Sequence, residues 1–172
     1  MKNEEAGKLI SKAFSTVIKP AVWADLGCGE GMFTKALTKV LSPSSTVYAI
    51  DKEPQKFIKT NHKVQAFFQI VDFEKDNLEL PLLDGILMAN SLHYVKDKTS
   101  FINKLKQSLN EYGEIIIIEY DTEISNQWVP YPVSFHNLKN LFSQAGFSFI
   151  EKMSETKSIY NNETIYSCII RN

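Results

Sequence analysis

The sequence has few cysteines and no long apolar run. Only Cys28 and Cys168 occur among 172 residues, so the sequence predicts neither a disulfide framework nor a paired-cysteine metal site. The three histidines show no ligand spacing, and no metal site is expected. No apolar stretch approaches the roughly 20 residues of a membrane-spanning helix, and no signal-peptide core follows the charged N-terminus. The default expectation is a cytoplasmic protein.

An excess of charge of one sign is also missing. The 19 basic and 20 acidic residues give a net charge of −1, which predicts no general attraction to nucleic acid or to a membrane surface. The basic residues form no stripe interleaved with aromatic residues. No repeat, low-complexity tract or linker divides the chain. We therefore predict one domain over residues 1–172, with an N-terminal helix within residues 1–20 and no separate cap domain.

Strand and helix patterns alternate along the chain. Apolar runs predict strands at residues 21–26, 46–50, 64–71, 82–89 and 115–118. Periodicity predicts helices at residues 4–18, 32–41, 54–61, 94–109 and 134–145. Residues 110–113 are predicted to end the helix at 94–109. Two more strands, at residues 147–153 and 164–170, follow each other around a turn at Asn161 and Asn162. This order predicts a doubly wound α/β fold with a mostly parallel seven-stranded sheet, helices on both faces and an antiparallel C-terminal edge hairpin.

A glycine-rich turn follows the first predicted strand, in the sequence WADLGCGEGM of residues 23–32. The glycines at positions 27, 29 and 31 permit a tight turn and allow a ligand to lie against the backbone. A dinucleotide-binding fingerprint reads G-x-G-x-x-G, but Met32 stands where its third glycine would be. With Asp25 before the turn, Glu30 within it and no Lys or Arg, the mouth suits a positively charged nucleoside better than a pyrophosphate.

Side chains that can bind a nucleoside occur at the ends of the next predicted strands. They are Asp51, Asp72 and Asn90, and ligands of open α/β sheets bind at that edge. Asp51 lies about 20 residues beyond the glycine turn, the offset at which an acid contacts ribose hydroxyls. Asp72 would lie one strand further out, beside an adenine. A single such acid is more often a helix cap or a solvated carboxylate, but several in register with a glycine turn predict a nucleoside pocket.

Four segments together carry a family resemblance. They are residues 25–31 (DLGCGEG), 49–51 (AID), 71–73 (VDF) and 88–94 (MANSLHY). In this order and at this spacing they resemble the motif series of class I S-adenosylmethionine-dependent methyltransferases of the type 11 and type 25 kind, over nearly the whole chain. The resemblance implies a Rossmann-like methyltransferase fold and a single S-adenosylmethionine-binding domain over residues 1–172. It also implies S-adenosyl-L-methionine as the cofactor and S-adenosyl-L-homocysteine as the product.

The resemblance further implies how the cofactor is held. Asp25 and the glycine turn hold the methionine portion, Asp51 binds both ribose hydroxyls, and Asp72 accepts a hydrogen bond from the adenine amino group. The Phe73 backbone meets the adenine ring, and Asn90 faces the methionyl amino group through its backbone carbonyl. The expected cofactor-binding residues are Asp25, Gly27, Cys28, Gly29, Gly31, Asp51, Lys52, Asp72, Phe73 and Asn90.

His93 and Tyr94 are the catalytic candidates. His93 follows the fourth predicted strand, close to the expected methyl group, and histidine titrates near neutral pH, so it suits a general base. The alternative is a structural histidine that caps a helix or packs on Tyr94, while Tyr94 itself either lines the pocket or packs against the sheet. A base is needed only where the acceptor loses a proton during attack.

The segment after the fifth strand contains the candidate acceptor-binding residues Trp128 and Tyr131. Its aromatic residues and prolines suit a pocket wall, and equally a covering loop that packs over the fold. The acceptor site is either open or closed by the N-terminal helix, by residues 121–133 or by a second subunit in a homodimer. Lys8 and Lys12 are both candidates for the methionyl carboxylate, and the sequence does not choose between them.

The predicted function is in-line methyl transfer from S-adenosylmethionine to a small-molecule acceptor that the sequence does not identify. Residues 90–93 (NSLH) lack the asparagine–proline signature that marks amino-group methylation in some relatives. One alternative is a non-catalytic Rossmann-like module that serves a protein partner. Another is an NAD-dependent oxidoreductase. This alternative is disfavoured by Met32 and by the acidic residues around the glycine turn.

Overall fold

The protein is described by a computed structural model that covers residues 3–14, 19–56, 63–158 and 163–172. The strands are β1 (Val22–Leu26), β2 (Thr46–Asp51), β3 (Gln65–Ile70), β4 (Leu83–Ala89), β5 (Leu109–Tyr120), β6 (Phe149–Lys157) and β7 (Thr164–Arg171). The α-helices are α1 (Asn3–Ile10), α2 (Met32–Val40), α3 (Lys98–Ser108) and α4 (Phe135–Gln144). Short 3-10 turns occupy Ser11–Phe14 and Leu92–Tyr94. No helix in these described ranges is long and apolar enough to cross a lipid bilayer.

The seven strands form one sheet in the order β3-β2-β1-β4-β5-β7-β6. Neighbouring strands from β3 to β5 are parallel, whereas β7 is antiparallel to both β5 and β6. The predicted doubly wound, mostly parallel sheet with antiparallel C-terminal strands is confirmed. The strand order reverses between β1 and β4, which is the point where sheets of this kind leave a crevice for ligands.

The sheet is buried on both faces, and β5 shows why. Its four consecutive isoleucines at positions 115–118 are all fully buried, and they alternate between two hydrophobic clusters. Helices α3 and α4 contribute to the cluster on one face, and α1 and α2 contribute to the cluster on the other. A run of β-branched residues without alternation is therefore explained by a central strand that has helices on each side.

Some element boundaries differ from the predictions, and at the start of α3 a side-chain cap explains the difference. Helix α3 begins at Lys98 instead of residue 94, since the Asp97 side chain caps it by accepting a hydrogen bond from the Ser100 backbone N–H at 3.0 Å. The expected helix at 54–61 is not present at residues 54–56, and its remainder lies outside the described residues. The predicted end of the first helix, at residues 15–18, and the predicted turn at Asn161 and Asn162 also lie outside the described residues.

The prediction that residues 110–113 only end a helix is wrong, because β5 already begins at Leu109. Leu109 pairs with Leu83, and the register shifts before Glu114 pairs with Gly85. A Cβ at Gly113 would lie 2.9 Å from Leu109 Cβ, so glycine is required by packing within the strand. At its other end β5 includes Glu119 and Tyr120, which pair with β7 instead of starting a loop.

Candidate active site

The glycine turn is held against the end of β2. The backbone N–H groups of Gly27 and Cys28 both donate to the Ile50 carbonyl, at 2.8 and 3.0 Å. Gly27, Gly29 and Gly31 have φ values of 78°, 48° and 74°, a left-handed conformation that favours glycine. A Cβ at Gly27 would lie 2.5 Å from Ser91 Cβ, whereas a Cβ at Gly29 would meet no protein atom within 4 Å. Gly27 therefore allows close packing of the chain, and Gly29 leaves open space above the turn.

Asp51 is fixed at the carboxyl end of β2. Its Oδ2 accepts a hydrogen bond from the Gly29 N–H at 2.8 Å, and its Oδ1 accepts one from the Glu53 N–H at 3.0 Å. The carboxylate lines a cavity of about 360 Å³ that Gly27, Gly29 and Lys52 also line. Each carboxylate oxygen of Asp51 can accept one more hydrogen bond. The two oxygens therefore suit two neighbouring hydroxyl groups of a ligand.

Asp72 and Phe73 line the same cavity, beyond Asp51. Asp72 Oδ2 accepts a hydrogen bond from Lys75 Nζ at 3.0 Å, and this bond is the main reason why the pKa of Asp72 is lowered. Phe73 packs against Phe101 at a ring-centroid distance of 5.7 Å. This part of the cavity thus presents a carboxylate and an aromatic residue to the adjoining space.

Asn90 lies where three cavities meet. It lines the 360 Å³ cavity, a second cavity of about 270 Å³ that reaches Cys28 and Lys157, and a third of about 430 Å³ beside His93. Its φ of 53° is left-handed, and its side-chain Oδ1 is buried and has no hydrogen-bond partner in the part of the chain that the structure describes. A buried amide oxygen of this kind is free to accept from a bound molecule.

Asp25 lies beneath the turn and lines none of these three cavities. It is 1% exposed; its Oδ2 accepts a hydrogen bond from Thr34 Oγ1 at 2.6 Å, and its Oδ1 has no hydrogen-bond partner within the described ranges. Burial raises the pKa of Asp25 to about 7, and the nearby charge of Asp51 adds to the rise while the Thr34 hydrogen bond opposes it. The geometry therefore gives Asp25 a supporting position and not the direct contact with the methionine portion that the resemblance implies.

Some of the remaining cofactor candidates line a cavity, and others do not. Cys28 lines the 270 Å³ cavity, and burial raises the pKa of its thiol to about 12, so it stays protonated. Gly31 lies at the start of α2 and lines none of the three cavities. Lys12 donates to the Met153 carbonyl at 2.7 Å, and Lys8 is exposed outside the cavities. Lys157, which no sequence pattern indicated, lines the 270 Å³ cavity.

His93 forms a buried pair with Glu119. His93 Nδ1 lies 2.7 Å from Glu119 Oε2, and the His93 backbone N–H donates to Glu119 Oε1 at 3.1 Å. Both residues are at most 2% exposed. A carboxylate at this distance accepts from a protonated Nδ1, which leaves Nε2 as the lone-pair nitrogen. His93 also lines the 430 Å³ cavity, and Nε2 has no hydrogen-bond partner among the residues that the structure describes.

The 430 Å³ cavity is walled mainly by aromatic residues. Tyr94, Tyr120 and Trp128 line it together with His93, and Asn126 and Val129 complete the wall beside Asn90. Burial raises the pKa of the Tyr94 hydroxyl, so that group remains a proton donor near neutral pH. Tyr131 does not line this cavity; its backbone N–H donates to the His93 carbonyl at 3.0 Å.

Glu119 belongs to the site although the sequence pattern did not indicate it. The isoleucine run predicts a strand that ends at residue 118, which leaves Glu119 in the following loop. A signal for it exists, because Glu119 directly follows the isoleucines at the same sheet edge as Asp51 and Asp72, and strand-end acids meet at that edge. No sequence pattern indicates Tyr120 or Asn126. They line the site only because the chain after the isoleucines folds back beside His93.

The residues present fit a positively charged nucleoside cofactor. Gly29 leaves space that a Cβ would fill, Asp51 offers an oriented carboxylate, and the buried Asn90 Oδ1 lacks a donor. In the parts of the chain that the structure covers, no group of three or more His, Cys, Asp or Glu residues could hold a metal ion.

Comparison with known proteins identifies the family. A profile of the methyltransferase domain family matches residues 2–152, and the chain therefore belongs to this family. This match and the sheet order confirm the predicted class of S-adenosylmethionine-dependent methyltransferases with a Rossmann-like fold. The protein is thus an enzyme of a family whose cofactor is S-adenosylmethionine, which disfavours both the non-catalytic module and the oxidoreductase. A comparison with curated proteins gives no match.

Solved structures share the fold at low sequence identity. A SAM-dependent methyltransferase from Aquifex aeolicus matches with a TM-score of 0.65 and 16% identity over 100% of both chains. The 1,6-didemethyltoxoflavin-N1-methyltransferase of Burkholderia thailandensis, with bound 1,6-didemethyltoxoflavin and S-adenosylhomocysteine, gives 0.70 and 16% over 99% of this chain and 77% of that one. A cyclopropane-fatty-acyl-phospholipid synthase-like protein from Lactobacillus casei gives 0.74 and 9% over 99% and 91%. At these identities the likeness establishes a common fold.

Proposed function

We propose that residues 1–172 form one domain that transfers a methyl group from S-adenosylmethionine to a hydroxyl group of a small molecule. The observation that carries this proposal is the meeting of three cavities at Asn90. Two of them adjoin the glycine turn, and the third adjoins the paired His93 and Glu119. A cofactor in the first two would therefore lie next to an acceptor in the third.

The chain's own residues supply a binding partner for each part of the cofactor. Asp51 would accept from the ribose hydroxyls, while Asp72 and Phe73 would adjoin the adenine. The unpaired Asn90 Oδ1 would accept from the methionyl amino group, in addition to the backbone carbonyl expected from the family resemblance. Lys157 would offer positive charge to the methionyl carboxylate, a role for which Lys12 is disfavoured by its bond to the Met153 carbonyl.

When bound, the cofactor supplies a methyl group that its sulfonium already activates. The task of the chain is to orient the acceptor and to remove its proton, and orientation alone lowers barriers by roughly 7–11 kcal/mol in well-aligned systems. His93 Nε2 would take the proton of the acceptor hydroxyl. Glu119 would hold the imidazole in the tautomer that leaves Nε2 unprotonated. Tyr94 lines both the adenosine-side cavity and the acceptor-side cavity and would help to exclude water.

Binding of the cofactor is tested with Asp51→Asn against Glu53→Gln. We expect S-adenosylhomocysteine to raise the melting temperature of the native protein and of Glu53→Gln, since Glu53 is exposed and lines none of the three cavities. Asp51→Asn keeps an oxygen for the Gly29 N–H but loses the charge, and its melting temperature should shift far less. If NAD stabilises the native protein and S-adenosylhomocysteine does not, the proposed function is wrong.

The proton-transfer role is tested with His93→Gln and Glu119→Gln. Removal of a general base commonly lowers kcat about 100- to 10,000-fold, and we expect a loss in that range for His93→Gln with little change in the KM for the cofactor. In Glu119→Gln the new side-chain amide would donate to Nδ1 and thereby favour the tautomer with a proton on Nε2, so this variant should lose a similar factor. The imidazole ¹⁵N shifts of His93 report the tautomer directly. An unchanged tautomer together with unchanged kcat would show that Glu119 has only a structural role.

A further inference from the structure

The acceptor cavity, defined as the 430 Å³ cavity beside His93, has walls that suit a flat ring. Tyr94, Tyr120 and Trp128 supply three aromatic rings, and the His93 imidazole supplies a fourth. The His93 ring packs against Tyr94 at 4.4 Å and against Tyr120 at 6.4 Å, measured between centroids, so these rings form one continuous aromatic wall. A wall of this kind favours a planar aromatic guest, because offset and edge-on ring contacts add roughly 0.5–1.5 kcal/mol beyond area burial.

Trp128 is held in place although its side chain is exposed. The indole-bearing residue is 72% exposed, which is unusual for tryptophan and leaves much of the ring open to a partner. Its backbone N–H donates to Asn126 Oδ1 at 2.8 Å, and the Asn126 N–H donates to the Val129 carbonyl at 3.1 Å. Val129 is buried and anchors the turn. The turn is therefore set before any acceptor binds, and little of its backbone entropy is lost on binding.

The acceptor cavity offers no positive charge to an anion. Among the described residues that line it, none is Lys or Arg, and the buried carboxylate of Glu119 lies directly behind His93. An acceptor with a carboxylate or phosphate would lose its hydration there without an ionic partner, which is strongly unfavourable. A negatively charged acceptor therefore does not fit this cavity.

The ease with which a hydroxyl group loses its proton separates two kinds of acceptor. The pKa of a phenol is near 10, whereas an aliphatic hydroxyl is about as acidic as water, near 15.7. Each unit corresponds to about a tenfold change in the equilibrium of proton transfer to a given base. A phenolic hydroxyl is therefore favoured over an aliphatic one by several orders of magnitude, whichever base takes the proton.

We propose that the methyl acceptor is an aromatic compound that has no negative charge and carries a hydroxyl group on the ring, that is, a phenol bound in the cavity that Trp128 and Tyr94 line. This inference rests on the proposed function. In the transfer the phenolic oxygen forms a bond to the methyl carbon, and the bond between that carbon and sulfur breaks with its electron pair remaining on sulfur. The hydroxyl proton passes to His93 Nε2 and then to solvent. The products are an aryl methyl ether and S-adenosylhomocysteine.

The test uses the native protein with S-adenosylmethionine and five probes: catechol, 2-naphthol, benzyl alcohol, benzoate and benzylamine. Formation of S-adenosylhomocysteine and of the methylated probe is followed by mass spectrometry. We expect methyl ethers from catechol and 2-naphthol, turnover at least tenfold slower with benzyl alcohol, and no product from benzoate or benzylamine. Faster methylation of benzylamine or benzoate would overturn the acceptor class while leaving the methyltransferase function intact.

The two proposals fail differently. Calorimetry first establishes whether S-adenosylmethionine binds, and absence of binding removes the proposed function itself. If the cofactor binds but ligand-observed NMR detects no phenol on the loaded protein, or detects binding without transfer, the phenol assignment is wrong. For Trp128→Ala we expect a KM for catechol about tenfold higher with kcat little changed, and a smaller rise for Trp128→Phe. Ile124→Ala, which alters an exposed residue of the same loop outside the cavity, should leave both constants unchanged.

Discussion

Gly27 and Gly29 both adopt a left-handed backbone, but the space around them differs, and alanine substitution separates the two cases. Gly27→Ala places a Cβ 2.5 Å from Ser91 Cβ, and we expect the free energy of unfolding to fall by about 3 kcal/mol from overpacking and backbone strain together. Gly29→Ala meets no protein atom, so strain alone should lower stability by about 1 kcal/mol. Its added methyl group enters the cofactor cavities and should weaken cofactor binding at least tenfold.

Urea denaturation and calorimetry measure both effects. The prediction is contradicted if Gly29→Ala binds S-adenosylhomocysteine as tightly as the native protein does. It is equally contradicted if Gly27→Ala is no less stable than Gly29→Ala. The comparison therefore tells apart a glycine required by the fold from one required by the ligand.

Asp25 makes stability depend on pH. Burial raises its pKa from 3.8 to about 7, so between these values the folded protein binds a proton that the unfolded chain has lost. The contribution of Asp25 to the free energy of unfolding therefore decreases as the pH rises from about 4 to about 7, and the loss is complete above that range. Asp25→Asn removes this contribution, and the stability of the variant should fall less between pH 5 and pH 8 than that of the native protein. If urea denaturation shows the same change in the free energy of unfolding between pH 5 and pH 8 for the native protein and for Asp25→Asn, Asp25 is charged throughout that range.

For single residues, the sequence predicts which ones lie at the ligand-binding edge of the sheet, but not how deeply each side chain is buried. Alternating glycines and strand-end acids placed Asp51, Asp72 and Asn90 at one sheet edge, since that rule depends only on strand direction. The burial of Asp25 depends on the packing of α2 and on its bond to Thr34, which no local pattern reveals. The pairing of His93 with Glu119 joins residues 26 apart in sequence, one in the turn that follows β4 and one in β5, and only the register of β4 and β5 brings them together.

Among the elements, α4 is joined through its N-cap residue to the loop of residues 121–133, which contains Trp128. Ser134 Oγ accepts from the Asn137 N–H at 3.3 Å and donates to Glu123 Oε1 at 2.9 Å. We expect Ser134→Ala to lower the free energy of unfolding by about 1 kcal/mol, a usual magnitude for a lost N-cap. Ser143→Ala on the exposed face of the same helix is the control, and alanine there should be neutral or slightly stabilising. Equal stabilities of the two variants in urea would contradict a capping role for Ser134.

The elements also show where local signals mislead. The asparagine and glycine at positions 110 and 113 favour a turn, yet Leu109 and Glu114 pair with β4 and extend the strand through them. Tertiary pairing overrides local propensity because the fully buried isoleucines that follow fix the register of the whole strand. The Ser134 cap, by contrast, was predictable, since its hydrogen bond joins residues only three positions apart.

For the whole molecule, the C-terminal strands complete the core. Tyr166 is fully buried and donates to the Val133 carbonyl at 3.0 Å, and Lys12 bonds the Met153 carbonyl from the other face. We expect removal of residues 147–172 to abolish cooperative unfolding in urea, because β5 would lose its neighbour and expose fully buried isoleucines. Arg171→Ala removes an ion pair with Glu114 and a contact of the guanidinium with the Phe149 ring, but no strand, and should change stability by only about 1 kcal/mol. A sharp transition in the shortened chain would show that the hairpin is dispensable for folding.

The separate rims of the cavities around Asn90 have a consequence for the order of events in turnover. The 360 Å³ cavity, which we propose for the adenosine part of the cofactor, is bordered by the exposed Lys52 and Lys75, whereas the 430 Å³ cavity, which we propose for the acceptor, is bordered by the exposed Trp128. Under the proposed function, neither ligand has to pass through the site of the other, so each could enter or leave while the other stays bound. We therefore expect steady-state kinetics of a sequential scheme with no compulsory order of addition.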